Sequence, residues 1–578
     1  MKLDLQKGSR SRILAAMVFG IMTVFAVRLF YLQIIQHDHY VAIANQEQLK
    51  RLTIPAKRGL IYALDGSKPV PLVMNQTVYT VFADPQMITE ETKIAEVIER
   101  VAGGNMRSNI PELLTKKDSR YQILATKLTR SQADKIKDEN LRGVGFQEES
   151  QRVYPEGMLA AQTLGFVDYD GVGRYGVENG LNNRLTGTDG LLQSVTDVRD
   201  VPLTIGNRNI NQPAVDGDNV VLSIDRNIQA YVEKALDAGL KRTGTTKGSA
   251  VVIDPNTGRI MAMANLPTYD PSQYNTVQDA ALFNNDVVSA PYEPGSVIKT
   301  FTFATGLEKG VITPQGTYVN TDSIKVRDRT ISNATLGQTG TITFQHALNW
   351  SLNTAAVTVV QRLGDGEDIT RGARDILYDY FYNKFRLGRL TGLEVSGEVV
   401  GRIISPDEPD GNAVRYANMS FGQGLDVTMV QAVAGFSALV NGGLYYTPTV
   451  VAGVVDGNGV FSENKILEPT RALSESAANQ TREMMHAARS TFFGSVDKPG
   501  YNMGGKTGTS ETIKDGTYTD DETIATYLGY GGGSQARYVI MIRISGEGRQ
   551  PQGARDAMPI FTDISNWMID YLKVQPEG

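Results

Sequence analysis

Three short clusters hold the residue types whose spacing could do covalent chemistry in this chain of 578 residues. The first is Glu293-Pro294-Gly295-Ser296-Val297-Ile298-Lys299. Pro294 and Gly295 close a loop, and Val297, Phe301 and Ala304 follow at helical spacing, with Gly310 and Pro314 as the stop. Ser296 is therefore expected in the first turn of a helix, where free backbone N–H groups favour a developing anion. Lys299 stands one turn on along the same face. A desolvated lysine loses its proton readily and can take that of the serine hydroxyl, which makes a nucleophile and a base without histidine. A second Ser-x-x-Lys, Ser462-Glu463-Asn464-Lys465, lacks the Pro-Gly lead-in and reads as a surface turn.

The second cluster, Ser351-Leu352-Asn353, falls between the helical run of Phe344, Ala347 and Leu348 and that of Ala355-Ala356-Val357. A serine and an asparagine two apart in such a break can point one way, one to relay a proton and the other to hold an amide. The third, Gly504-Gly505-Lys506-Thr507-Gly508-Thr509, alternates lysine and threonine with small residues and reads as an edge strand open to a second backbone. Lys506 and Thr509 would hold a C-terminal carboxylate, and the N–H groups of Thr509 and Ser296 would form an oxyanion hole. Taken singly, each cluster reads as ordinary scaffolding: an N-cap with a solvated lysine, a cap between helices, a glycine-rich loop. In the order Ser-x-x-Lys, Ser-x-Asn, Lys-Thr-Gly, at separations of 55 and 155 residues, they are not a product of composition.

That trio resembles the signature of penicillin-binding proteins and serine β-lactamases. The resemblance implies that Ser296 is the acylated nucleophile, Lys299 its base, and Ser351 the proton relay to the leaving group with Lys506 assisting. It implies too that Asn353 orients the donor peptide and that Thr507, Gly508 and Thr509 line the site of its carboxylate. The likeness extends along most of the chain to the class B type. Arg58-Gly59-Leu60-Ile61-Tyr62, Arg152-Val153-Tyr154-Pro155-Glu156-Gly157, Leu164-Gly165, Gly176-Val177-Glu178 and Leu185-Thr186-Gly187 resemble its pedestal. Gly422-Gln423-Gly424, Thr428, Gln431 and Asn441-Gly442-Gly443 resemble the stretch before its third motif. One departure is Ala63-Leu64-Asp65-Gly66, where the class usually continues Asp-Arg-Asn-Gly, so that an ion pair inside the pedestal is expected to be lost.

Composition narrows the alternatives. The formal charge of −6 without a long basic block argues against a nucleic-acid partner. With no cysteine and four histidines (His37, His39, His346 and His486) there is no disulfide, little material for a zinc site and few choices for a Ser-His-Asp triad. No cofactor and no metal are expected.

These clusters need a scaffold, and the chain supplies one after an apolar segment. Residues 13–35, broken only by Arg28 and Gln33, would make a helix of about 34 Å, enough to span a bilayer. Lys2, Lys7, Arg10 and Arg12 before it place residues 1–12 in the cytoplasm and the rest outside. No cleavage pattern follows, so an uncleaved anchor is expected. Arg28 either snorkels to the headgroups or meets a polar group on a partner helix. Residues 36–215 read as an elongated, β-rich pedestal with a charged helical patch over Glu90–Val101 and Pro111–Asn140. Residues 216–578 read as an α+β domain. Its expected parts are a strand over Val220–Ile224 with Asp225 capping the next helix, a hairpin of 250–253 with 260–264, strands over Ile524–Tyr530 and Tyr538–Ile544, and a closing helix near 559–572. Strands at both ends with helices between predict one central antiparallel sheet.

The expected function is that of a membrane-anchored peptidoglycan D,D-transpeptidase, with stem peptides as substrates and β-lactams bound covalently at Ser296. The anchor and the insert of about 180 residues disfavour a soluble β-lactamase or carboxypeptidase, and no acidic glycosyltransferase motif is found. A β-lactam sensor would need further spans or a cytoplasmic domain, and a non-catalytic division scaffold sits poorly with Ser296, Lys299 and Lys506 together. Asn353 and the Lys-Thr-Gly-Thr form lean to the septal branch over the elongation branch. A polytopic lipid-II polymerase is then the expected partner of the anchor, and other division or elongation proteins of the membrane and pedestal regions.

Overall fold

The computed structural model describes residues 7–40, 49–195, 210–514 and 517–577. Residues 1–6 of the expected cytoplasmic tail, with Lys2, lie outside them. Packing divides the chain into two units, 1–58 with 186–217, and 59–185 with 218–578.

In the first unit an α-helix over Lys7–Phe30 continues as a π-helical turn over Tyr31–Ile35. Its stretch Arg10–Ile35 is long and apolar enough to cross a membrane, and none of it is buried in protein. Strands Leu49–Ile54, Gly190–Val195 and Ile210–Gln212 form a three-stranded antiparallel sheet.

The second unit is built on two sheets. The smaller holds five antiparallel strands in the order Ile260–Leu266, Lys247–Ile253, Ala536–Ser545, Thr517–Gly532, Asn502–Lys514. Period-two alternation gives it two apolar faces. Ala250, Val252, Ile540 and Ile542 pack with Ile228, Val232 and Leu236 of the Arg226–Thr243 helix and with Phe561, Ile564 and Met568 of the Met558–Tyr571 helix. Val251, Ile253, Val539 and Met541 belong instead to the larger core around Phe301, Ala304, Val433 and Phe436. Asp225 caps its helix through the N–H groups of Asn227 (2.9 Å) and Ile228 (3.0 Å).

The larger sheet has seven strands, among them Ile61–Asp65, Lys68–Ala83, Gln122–Leu128, Val144–Val153 and Asn219–Asp225. Two expectations need correction here. The helix Glu91–Ala102 forms, but Pro111–Asn140 is not one helical patch. A strand over Gln122–Leu128 separates the short helix Ile110–Leu114 from Arg130–Lys137, because Leu124, Ala125 and Leu128 are buried against the sheet and its helices. The Ser462–Lys465 region is not a simple turn: Phe461–Glu463 is an edge strand of this sheet, paired with Val451–Val455, and Glu463 is ion-paired with Arg259. The pedestal-type residues also carry a closed ion pair: Arg152 Nε lies 2.7 Å from Glu178 Oε1, with both side chains buried.

Candidate active site

Ser296 sits in a tight 3₁₀ turn over Gly295–Ile298, not yet in the α-helix, which runs from Lys299 to Glu308. Side chains three apart eclipse in such a turn, so Lys299 comes directly over Ser296. The turn is pinned from below by 422–427. Gly295 N donates to Gly422 O (3.2 Å), Tyr292 N to Val427 O (3.1 Å), and Gly424 N to the Glu293 carboxylate (2.7 Å).

Lys299 is 1% exposed. Its Nζ lies 3.0 Å from Ser296 Oγ, 2.5 Å from Ser351 O and 3.2 Å from Ser351 Oγ. Ser351 can present both oxygens because its backbone is left-handed, φ +57°, between the helices Phe344–Asn349 and Asn353–Arg362. That conformation disfavours a residue with a Cβ and has to be held by its surroundings. Ser351 N donates to Leu348 O (3.1 Å) and Leu352 N to Ala347 O (2.9 Å). Two residues past Leu352 the chain is tied into a buried polar network: Thr354 N and Oγ1 donate to the side chains of Asn333 (3.0 Å) and Asn320 (2.9 Å). Asn353 Nδ2 donates to Ser332 O at 2.8 Å, so its amide also steadies the neighbouring hairpin.

Lys506 belongs to the strand Asn502–Lys514, which is the edge of the five-stranded sheet. It is buried, and its Nζ donates to Thr507 O (3.1 Å) and lies 3.3 Å from Thr507 Oγ1. Two close approaches press this strand against the turn that carries Ser296. A Cβ on Gly508 would lie 2.6 Å from Pro294 O, and a Cβ on Gly295, whose φ is +62°, would lie 2.8 Å from Thr509 O. Burial lowers the pKa of Lys506 to about 7. Lys299 is held well below the ordinary lysine range by burial first and by the Lys506 charge second.

Of the sequence-derived residues, Ser296, Lys299 and Ser351 are in direct contact, Gly508 and Thr509 lie against the Ser296 turn, and Lys506 is near enough for its charge to act on Lys299, whereas the Asn353 amide is engaged with Ser332 O. Other supports carried no local signal. Thr509 Oγ1 accepts from Gly553 N (3.1 Å) and lies 3.4 Å from Gln552 Oε1, in a stretch the sequence left unassigned. Arg489, wholly buried, binds both oxygens of Asp497 and donates to Tyr527 Oη (2.7 Å) and Thr562 Oγ1 (2.9 Å), bracing the strand that pairs with the Lys506 strand. Among the described residues no group of three or more His, Asp or Glu side chains could hold a metal ion.

Comparison with known proteins fits this arrangement. Residues 248–566 match the penicillin binding protein transpeptidase domain, and residues 53–222 the penicillin-binding protein dimerisation domain. The penicillin-binding protein PbpB of Mycobacterium tuberculosis is 30% identical over 96% of this chain and 84% of its own length. The peptidoglycan D,D-transpeptidase FtsI of Escherichia coli is 27% identical over 95% of this chain and 90% of its own. The crystal structure of penicillin binding protein 3 from Mycobacterium tuberculosis, complexed with aztreonam, superposes with a TM-score of 0.68 at 27% identity, covering 91% of this chain and 98% of that one. The chain belongs to the penicillin-binding protein family, and it is a class B member in which a dimerisation domain and a transpeptidase domain share one polypeptide.

Proposed function

We propose that the protein is a membrane-anchored peptidoglycan D,D-transpeptidase acting through a serine acyl-enzyme, with residues 1–12 in the cytoplasm, 13–35 in the membrane, and the pedestal (36–215) and transpeptidase domain (216–578) on the outer face. The observation that carries this reading is the contact of a buried lysine amine with two serine hydroxyls, at 3.0 and 3.2 Å. A neutral amine has one lone pair and two N–H groups. Ser296 O–H can donate to the lone pair while the N–H groups go to the carbonyl and hydroxyl of Ser351, so all three contacts suit the uncharged base.

Ser296 Oγ attacks the carbonyl carbon between the last two residues of a stem peptide as its proton passes to Lys299. The C–N bond then breaks, and the departing amine takes a proton through Ser351, with Lys506 assisting. An acceptor amine next attacks the ester, releases Ser296 and leaves the cross-link. Lys506 with Thr507, Gly508 and Thr509 holds the donor's carboxylate, Asn353 orients its amide, and the edge strand receives its backbone. The chemistry uses no cofactor or metal. The aztreonam complex of a relative supports β-lactams as ligands, and acylation of Ser296 would be their mode of binding. The names FtsI and PbpB favour a septal role over side-wall growth; in that role the anchor would pair with a membrane-embedded lipid-II polymerase, with Arg28 as the candidate contact.

A fluorescent penicillin labels the full chain and leaves Ser296→Ala unlabelled on this reading. Labelling that survives the substitution refutes the nucleophile. Depletion giving filaments supports the septal role; rounded cells reverse it.

A further inference from the structure

The stretch 290–294 that delivers Ser296 to its turn belongs to no helix and no named strand. One side of it is tied to 422–427 by the bonds already described. Its other side lies on the inner face of the five-stranded sheet, where the register sets one residue of each strand into a single lateral row. Asn265 stands opposite Ser249, Ser249 opposite Arg543, Arg543 opposite Thr526, and Thr526 opposite Gly508. Residues directly opposed on antiparallel strands point to the same face. The row therefore crosses a face that the next row, with Val251 and Met541, gives to the large apolar core. Ser249, Asn265 and Thr526 are all buried.

The chain from Asn285 to Pro294 is laid along this row. At one end Ser249 Oγ donates to Asn265 Oδ1 (2.9 Å), and Asn265 Nδ2 donates to Asn285 Oδ1 (2.9 Å), which also caps the helix Asp286–Ser289 through Val287 N (3.2 Å). At the other end Gly508 closes on Pro294 O. Arg543 holds the middle. Its Nη1 donates to Ala290 O (3.2 Å), and its guanidinium carbon lies 4.5 Å from the centre of the Tyr292 ring. Those are its side-chain partners among the described residues. A half-buried arginine is ordinarily matched to a carboxylate, because a charge drawn out of water needs compensation. Here the planar guanidinium stacks on the ring and donates to the carbonyl two residues earlier, so its interactions go to the stretch that leads into the nucleophile.

We propose that Arg543 is a positioning residue for acylation, a role that rests on the reading of Ser296 as the acylated residue. It touches no reacting atom. It acts through Ala290 and Tyr292 to set how far the Ser296 turn stands from the sheet, and so where the hydroxyl meets an incoming carbonyl. On the same reading the donor carboxylate is received by Lys506 and Thr507, neither of which Arg543 contacts. Loss of Arg543 therefore slows the acylation step and leaves capture of the ligand alone.

The test is stopped-flow reaction of the full chain in detergent with a fluorescent penicillin, which separates the acylation rate constant from the dissociation constant of the complex that precedes it. Arg543→Ala is expected to lower the rate constant at least about tenfold while the dissociation constant stays within about threefold of the native one. Arg543 lines a cavity of about 560 Å³ together with Asp286 and Glu522, so a small cation can reach the space that alanine leaves. Added methylguanidinium should therefore raise the rate constant of Arg543→Ala at least about threefold over sodium chloride of equal ionic strength, and leave that of the native chain unchanged. A rate constant within about threefold of native, a loss confined to the dissociation constant, or no response to methylguanidinium overturns the assignment. Arg543→Lys keeps the stem and a cation and so folds even where alanine does not. An ammonium cannot both lie over the ring and reach the Ala290 carbonyl, so its rate constant must still fall about threefold, and a native value overturns the assignment too. Ser296→Ala, run in parallel, separates the two levels: labelling that survives there is a failure of the acyl-enzyme reading, whereas labelling lost there with a native rate constant in Arg543→Ala is a failure of the positioning role alone.

Discussion

Gly295 gives a measure of how tightly the Lys506 strand and the Ser296 turn must meet. Its φ of +62° is left-handed, and a Cβ there would stand 2.8 Å from the Thr509 carbonyl oxygen. Alanine in that conformation costs about 1–2 kcal/mol. The contact costs about 1–3 kcal/mol more, because strand and turn must part by roughly 0.5 Å and both are fixed elsewhere. The strand is paired from Asn502 to Lys514 and the turn is pinned at Gly422 and Val427. At about 2–3 °C per kcal/mol, the thermal midpoint of Gly295→Ala falls by roughly 4–15 °C. A displacement of this order between reacting groups slows acylation by about 10- to 100-fold. The control is Gly310→Ala. Gly310 has nearly the same φ, +67°, but a Cβ there meets nothing within 4 Å. It should lose only the conformational share, about 2–6 °C, and acylate normally. Calorimetry and the second-order rate of fluorescent-penicillin labelling measure both quantities. Acylation of Gly295→Ala within threefold of Gly310→Ala would show that the close approach does not set the reacting geometry.

Three further substitutions probe separate parts of the site. Lys299 is a base only when unprotonated and the Lys506 charge helps to hold its pKa down, so Lys506→Gln should raise that pKa and move the acid limb of the acylation rate to higher pH; an unmoved limb contradicts the coupling. Arg489→Met leaves the Asp497 charge uncompensated and should cost about 3–5 kcal/mol in denaturant titration, most of it regained in Arg489→Met/Asp497→Leu. A double variant no better than the single one rules out the buried charge as the cause. Ser351→Gly removes a left-handed Cβ together with the hydroxyl, so the melting point should hold or rise slightly while turnover of a D-alanyl-D-alanine substrate falls about 100-fold or more; unchanged turnover excludes Ser351 from the proton path.

What could be read from the chain follows the range of the forces involved. The Asp225 cap, the hairpin of 247–253 with 260–266 and the closing helix depend on residues a few positions apart, and all three form where periodicity and capping place them. Gln122–Leu128 escaped because its side chains are also acceptable in a helix, and only its long-range pairing with Tyr79–Ala83 makes it a strand. Phe461–Glu463 escaped for the same reason, its partner strand being the decisive fact. At the site, the three motifs were visible as residue types in order, but the contact between them was not. The Arg489–Asp497 brace and the Gly553 N–H on Thr509 join residues that carry no distinctive spacing. Within the first motif the spacing predicts the first turn of a helix at Ser296, and that turn is 3₁₀ rather than α, a distinction the spacing cannot make because i and i+3 share a face in both.

A lysine used as a base has to be neutral, and a lysine that receives a carboxylate has to be charged, so two buried lysines in one cleft look at first to be in conflict. Burial weakens both ammonium ions: the pKa of Lys506 is lowered to about 7, and that of Lys299 is held well below the ordinary lysine range by burial first and by the Lys506 charge second. A proton held on Lys506 disfavours a second one on Lys299. A substrate carboxylate entering beside Lys506 and Thr507 would favour that protonated state, since an opposite charge at close range raises an amine's affinity for its proton. A fuller charge on Lys506 then holds Lys299 neutral, against Ser296 at 3.0 Å. On the proposed reading, in which Lys506 receives the donor carboxylate and Lys299 is the base, binding and activation would be one electrostatic event: the charge that captures the peptide would also keep the base ready.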